Sequence, residues 1–150
     1  MVEPFPHVYR ASAQARQTGD VAVDSPGLAT IVAGPSAQFG GTGAQWSPET
    51  LLPAAIANCF VLTFRAVSAA SMFGWLRLEC RVEGVLDRVD RQLRFTRLRT
   101  TATVTIAAGA DAAKARRLLD KADRDCLVAN SLAAAREFTG EVVSGEGVSA

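Results

Sequence analysis

The chain has 150 residues, 49% of them hydrophobic and 21% charged, with 16 Lys+Arg against 15 Asp+Glu and a formal net charge of +1. That length suits one domain whose core needs no disulfide or metal staple, and the apolar content excludes a disordered chain. Balanced charge excludes the basic stripe of a nucleic-acid binder.

Met1 to Arg10 holds Glu3, Pro4, Pro6 and His7 where a secretory leader needs an unbroken apolar stretch, so a cytoplasmic protein is expected. The most apolar run, Leu51 to Phe64, contains Pro53 and Asn58 and falls short of the roughly 20 residues of a membrane span. It reads as a buried core helix, with no membrane partner.

The first third reads as strands. His7 to Arg16 alternates small and polar residues, Gln17-Thr18-Gly19-Asp20 is a turn, and Val21-Ala22-Val23 resumes the extended pattern. Ser25-Pro26-Gly27 predicts a second turn before a strand at Leu28 to Val32. Pro35 to Gly43 is a loop whose glycines lack the spacing of a phosphate-binding loop, and no Gly-Lys-Ser/Thr follows.

Ser47-Pro48-Glu49 is a helix start: Ser47 can cap, Pro48 loses nothing at the first helical position, and Glu49 meets the positive end of the helix dipole. This helix is expected from Pro48 to about Ser71. Trp75 to Val85 and Leu93 to Ala107 alternate and predict a long hairpin around Asp87 to Gln92, with one wet face and with Leu76, Leu78, Cys80 and Val82 on the other. Asp111 to Asp125 is an amphipathic helix with Ala115, Leu118, Leu119 and Ala122 inward. Asn130 and Ser131 can cap a short third helix through Arg136, and Glu137 to Val143 predicts a last strand. Strands and helices segregated in this way mean an α+β fold. A helix as apolar as Pro48 to Ser71 wants burial on more than one side, which predicts a second subunit.

Three cysteines, Cys59, Cys80 and Cys126, show no metal-ligand spacing, and His7 is the one histidine, so no metal site is expected. Cys80 falls in register with core residues. Cys59 lies mid-helix among Leu52, Ala55, Ile56, Leu62, Thr63 and Ala66, an apolar setting that disfavours a thiolate unless a cation or donor arrives from elsewhere. Cys126 sits where the second helix ends and a third begins. A helix C-terminus does not favour a thiolate, which makes it the poorer first nucleophile of the two.

Gly40-Gly41, then Trp46-Ser47-Pro48-Glu49-Thr50-Leu51-Leu52 and Ala57-Asn58-Cys59-Phe60, resemble the OsmC/Ohr superfamily of osmotically induced and organic hydroperoxide resistance proteins. Ala122-Asp123-Arg124-Asp125-Cys126-Leu127-Val128-Ala129-Asn130-Ser131-Leu132 is similar to the family's second cysteine motif. The resemblance runs from about His7 to Val143. It implies one OsmC-like domain in which antiparallel sheets wrap a long central apolar helix within an intertwined homodimer. It also implies a thiol peroxidase without a cofactor: Cys59 attacks the peroxide, becomes a sulfenic acid and condenses with Cys126, and an external dithiol reduces the disulfide. Leu52, Ile56 and Leu62, with Phe39, Trp46 and Phe60, are the expected walls for an organic hydroperoxide.

Glu49 matches the family's acidic residue, which orients an arginine toward the thiolate. The turn that carries this arginine in the family has none here; Arg16 is the nearest, and Arg10 and Arg65 are weaker candidates. Leu127 stands where better-known members carry proline. Glu49 precedes Cys59 by ten residues, about 15 Å along a helix, so a two-fold pair with antiparallel helices is the way to bring one chain's Glu49 to the other's Cys59. The rival expectation is a non-catalytic, hydrophobic-ligand-binding or stress-associated module on the same fold. Papain-like hydrolysis is a distant third, since His7 is its one imidazole.

Overall fold

Ser12–Ala15 (β1), Val21–Asp24 (β2) and Ile31–Ala33 (β3) pair antiparallel in the order β1-β2-β3. They belong to the first of two units, Met1–Leu51 and Leu52–Ala150, in a computed structural model that describes residues 2–145. The strand expected from His7 begins only at Ser12, because four-residue β2 offers partners from Asp24, opposite Ser12, to Val21, opposite Ala15. The third strand starts later than Leu28, whose N–H closes the Ser25 turn at 3.1 Å instead.

After β3 the chain makes a 3₁₀ turn at Ala37–Phe39, and Gly40 takes a left-handed conformation at φ 86°. Gly41 donates to the Ser36 carbonyl at 2.9 Å, and a Cβ there would lie 1.8 Å from the Pro35 carbonyl oxygen. The glycine pair is thus a requirement of a tight turn. Trp46 returns beside β3, bridging Ala33 and accepting from Gly34 at 2.9 Å.

Pro48–Ala70 forms α1. Ser47 Oγ accepts from Thr50 N–H at 3.2 Å, while Ser47 N–H donates to Thr50 Oγ1 at 2.9 Å, a reciprocal cap with threonine in the third position. Pro53 forfeits one early bond without interrupting the helix. At 23 residues α1 is long and apolar enough to cross a membrane by length and composition. One face of it packs into the core, where Ile56, Phe60 and Phe64 are each 1% exposed or less.

In the second unit, Arg77–Val89 (β4) and Gln92–Ala107 (β5) form the long hairpin, closed more tightly than expected by Asp90 and Arg91, both at positive φ. Leu78, Cys80 and Val82 face inward beside Leu98, Thr100, Ala102, Val104 and Ile106. The register shifts at Val85/Leu86, so that Val85 pairs with Arg97 and Leu86 with Phe95. Thr96 is the extra residue, and the bulge brings the Phe95 ring over Gly84, where a Cβ would meet it at 2.8 Å.

Ala112–Asp125 (α2) is capped by Asp111, which accepts from Lys114 N–H, and buries Ala115, Leu118, Leu119 and Ala122 as its apolar stripe predicts. The third helix, α3, spans Leu127–Asn130 and so starts immediately after Cys126, earlier than Asn130; Ser131 ends it. Ala135–Gly145 (β6) then pairs with β5 in parallel. The sheet β4-β5-β6 is therefore mixed rather than wholly antiparallel, because the chain returns through a helical crossover. Phe60 and Phe138 meet at 5.6 Å between ring centroids, joining α1 to β6.

Candidate functional site

The reciprocal cap at Ser47 and the burial of Ile56, Phe60 and Phe64 fix the rotation of α1 and set Cys59 at the border of the buried face, half-buried. Its Sγ lies 3.9 Å from Thr63 Oγ1, one turn on, and the threonine hydroxyl donates to the Cys59 carbonyl at 2.7 Å. With its proton so committed, Thr63 Oγ1 is an acceptor for the Cys59 thiol.

Cys126 is 1% exposed. It is at once the C-cap of α2 and the N-cap of α3, with an extended backbone at φ −67°, ψ 99°. Its thiol points at the Ile56 carbonyl, 3.9 Å away, on the turn of α1 that precedes Cys59. Burial pushes the Cys126 thiol above its usual range, the Ala129 N–H pulls it down, the neighbouring Cys59 side chain pushes it up, and Arg136 pulls it down. Two residues 67 positions apart in the sequence thus come to one place.

Cys80 stands in the β4 row opposite Ala102, packed on the same core. Burial pushes its thiol up to about 12, with Cys126 and then Asp123 adding to the effect. All three cysteines are free thiols.

Ile56 and Phe60 do not line a substrate wall, since they are buried between α1 and the sheet. Exposed apolar side chains of α1 include Leu62, 51% accessible, with Ala55 and Ala66 along the same side. Arg65 is exposed six residues beyond Cys59, about 120° round the helix from it.

In the first unit, Glu49 lines a cavity of about 380 Å³ whose other walls include Val21, Val23, Ala33, Phe39 and Leu51. Its Oε2 is shielded from solvent and has no hydrogen-bond partner among the described residues. Arg16 follows β1 directly, exposed at the start of the β1–β2 turn. Among the described residues no ion pair joins it to Glu49. Arg10 is exposed as well, and its carbonyl accepts from Ser25 Oγ at 2.9 Å. Trp46 is half-exposed and borders a separate depression with Val32 and Thr50. Among the described residues no cluster of His, Cys, Asp or Glu could hold a metal ion.

Residues 41–140 match the family model of OsmC-like proteins. The chain belongs to the OsmC-like family. Solved structures of the same fold include an OsmC-like protein of unknown function from Vibrio cholerae, 16% identical with a TM-score of 0.79 over 92% of this chain and 100% of that one. An organic hydroperoxide resistance protein OsmC from Legionella pneumophila is 21% identical, TM-score 0.73, covering 93% and 99%. The organic hydroperoxide resistance protein OhrB of Bacillus subtilis is 18% identical, TM-score 0.65, covering 91% and 98%. No curated protein matches the sequence. At these identities the likeness carries the fold, and the OsmC-like chain's chemistry must be argued from its own residues.

Sequence reasoning missed Arg136. It donates to the Asp123 carbonyl at 2.7 Å and to Asp123 Oδ1 at 2.9 Å, and it also donates to Asn130 Oδ1. Nothing in the sequence marks it, because the expected third helix ran through it and hid its position at the head of β6.

Proposed function

We propose that this OsmC-like protein is a thiol-dependent peroxidase that reduces organic hydroperoxides. The reading is carried by Cys126, whose thiol faces the α1 turn beside Cys59. Attack of the Cys59 thiolate on a hydroperoxide breaks the O–O bond, leaves Cys59 as a sulfenic acid and releases an alkoxide that takes a proton to become the alcohol. The Cys126 thiolate then displaces hydroxide from that sulfur to form the disulfide, and an external dithiol restores both thiols. Apolar surroundings suit an alkyl hydroperoxide better than hydrogen peroxide.

A homodimer completes the site in this reading. The exposed Leu62, Ala55 and Ala66 on α1 fit a second copy of the same helix. Glu49, with a shielded oxygen that has no partner among the described residues, calls for a cation, and Arg16 is the candidate to supply it.

Turnover of cumene hydroperoxide with a dithiol tests the proposal. Cys59→Ser should abolish it, and Cys126→Ser should allow a single oxidation without turnover; full activity in Cys59→Ser contradicts it. The alternative, a hydrophobic-ligand-binding module, draws on the apolar cavity beside Glu49 and on the lack, among the described residues, of an Arg16–Glu49 ion pair. It predicts cysteines that stay reduced under peroxide and a melting temperature raised by an apolar ligand.

A further inference from the structure

The turn that carries Cys126 is tied down from outside. The Asp123 carbonyl accepts two bonds, one from the Cys126 N–H at 3.4 Å and one from Arg136 at 2.7 Å. The same guanidinium reaches Asp123 Oδ1 at 2.9 Å and Asn130 Oδ1, and Asn130 N–H donates to the Cys126 carbonyl at 2.9 Å. Asn130 Nδ2 closes the network on the Arg124 carbonyl at 2.9 Å. One arginine from β6 thus spans the end of α2, the α3 turn and Cys126 between them. Its side chain and that of Asp123 are about three-quarters covered, 27% and 24% exposed, so the charge is not wholly screened.

We propose that Arg136 is a positioning residue for the second thiol: it braces the turn between α2 and α3 and keeps a positive charge beside Cys126 as that sulfur attacks Cys59. The inference rests on the Cys59–Cys126 reading above. Arg136 draws the Cys126 thiol down against the burial that pushes it up. Asp123, the arginine's own partner, pushes the third thiol, Cys80, up.

Ellman's reagent isolates this step without peroxide. Cys59, half-buried on α1, attacks the reagent's disulfide, releasing one thionitrobenzoate and leaving a mixed disulfide. Cys126 then attacks the Cys59 sulfur, the Cys59–Cys126 bond forms, and a second thionitrobenzoate leaves. The second release, independent of reagent concentration and mapped by mass spectrometry, measures the attack by Cys126.

Arg136→Met should slow that phase. Losing the cation lowers the thiolate fraction by more than the greater nucleophilicity of a more basic sulfur recovers, at a Brønsted slope of about 0.4–0.5, and a loss of about threefold is expected. Arg136→Lys, which keeps the charge, should recover to within about twofold of the parent. Asp123→Asn weakens the brace while sparing the cation, and should slow closure less than Arg136→Met does. The proposal is overturned if Arg136→Met matches the parent, if Lys is as slow as Met, or if Asp123→Asn slows closure as much as Arg136→Met does. A parent protein with no second release would overturn both this inference and the peroxidase reading; a normal parent with unaffected variants would overturn this inference alone.

Discussion

The sulfur of Cys126 points at the carbonyl oxygen of Ile56, 3.9 Å away, across 70 residues of sequence. Ile56 is held by its own burial against the sheet, and Cys126 by the caps of two helices that meet at it. Both ends of this contact are therefore set by the fold. The second thiol waits next to the turn of α1 that carries the first.

Core packing sets the orientation of α1. Phe64 is fully buried and meets Trp75 edge-on at 5.4 Å between centroids. Phe64→Ala should cost about 3–5 kcal/mol, measured by urea unfolding, because it leaves a cavity in a fully packed core beside the Trp75 ring. A loss below about 1 kcal/mol would mean that the core collapses around the site.

Ser68 gives a smaller and chemically distinct effect. Its buried hydroxyl accepts from Trp75 Nε1 at 2.9 Å and donates to the Phe64 carbonyl at 2.7 Å. Ser68→Ala leaves the indole N–H without that partner and should lower stability by about 1–3 kcal/mol. Tryptophan fluorescence during unfolding reads it directly.

Gly41 tests the turn that the sequence resemblance shares. A Cβ at this position would fall 1.8 Å from the Pro35 carbonyl oxygen, a backbone atom that cannot swing away. Gly41→Ala should destabilise the protein by about 1–3 kcal/mol, seen as a lower midpoint in urea, whereas a phosphate-binding role would predict a stable variant that loses anion affinity.

Alkaline pH probes Cys80. Its ordinary value of 9.0 rises to about 12 in the folded protein, chiefly through burial. The folded state then holds a proton that the unfolded chain gives up, so the stabilisation is complete below about pH 9 and declines as the pH climbs toward 12. The slope is at most about 1.4 kcal/mol per pH unit, and less for a side chain that is only partly buried. Cys80→Ala should flatten the decline in urea-unfolding free energy between pH 9 and 11 relative to the parent; parallel curves would contradict it.

Much of this was legible in the sequence, where local chemistry decides the outcome. Ser47-Pro48-Glu49 starts α1 because a cap, a proline and an acid each suit a helix N-terminus, and the inward Leu118 and Leu119 of α2 follow from its period. The α+β class and the Cys80 side of β4 followed from alternation. Residues whose placement depends on distant partners were not legible. Phe95 turns inward through a bulge at Thr96 that periodicity cannot anticipate. The parallel pairing of β6 depends on a crossover, and the start of α3 on Cys126 taking an extended cap conformation. Ile56 shares a face with Cys59 at helical spacing and Phe60 follows it directly, yet the sheet claims both. Arg136 had no local signal at all.

In the proposed mechanism Cys59 and Cys126 act as a pair. The most direct measurement is a free-thiol count before and after one equivalent of cumene hydroperoxide, with the bridge located by peptide mapping. Three thiols per chain should fall to one, with Cys59 joined to Cys126 and Cys80 still free; a chain that keeps all three, or one that bridges through Cys80, would contradict it.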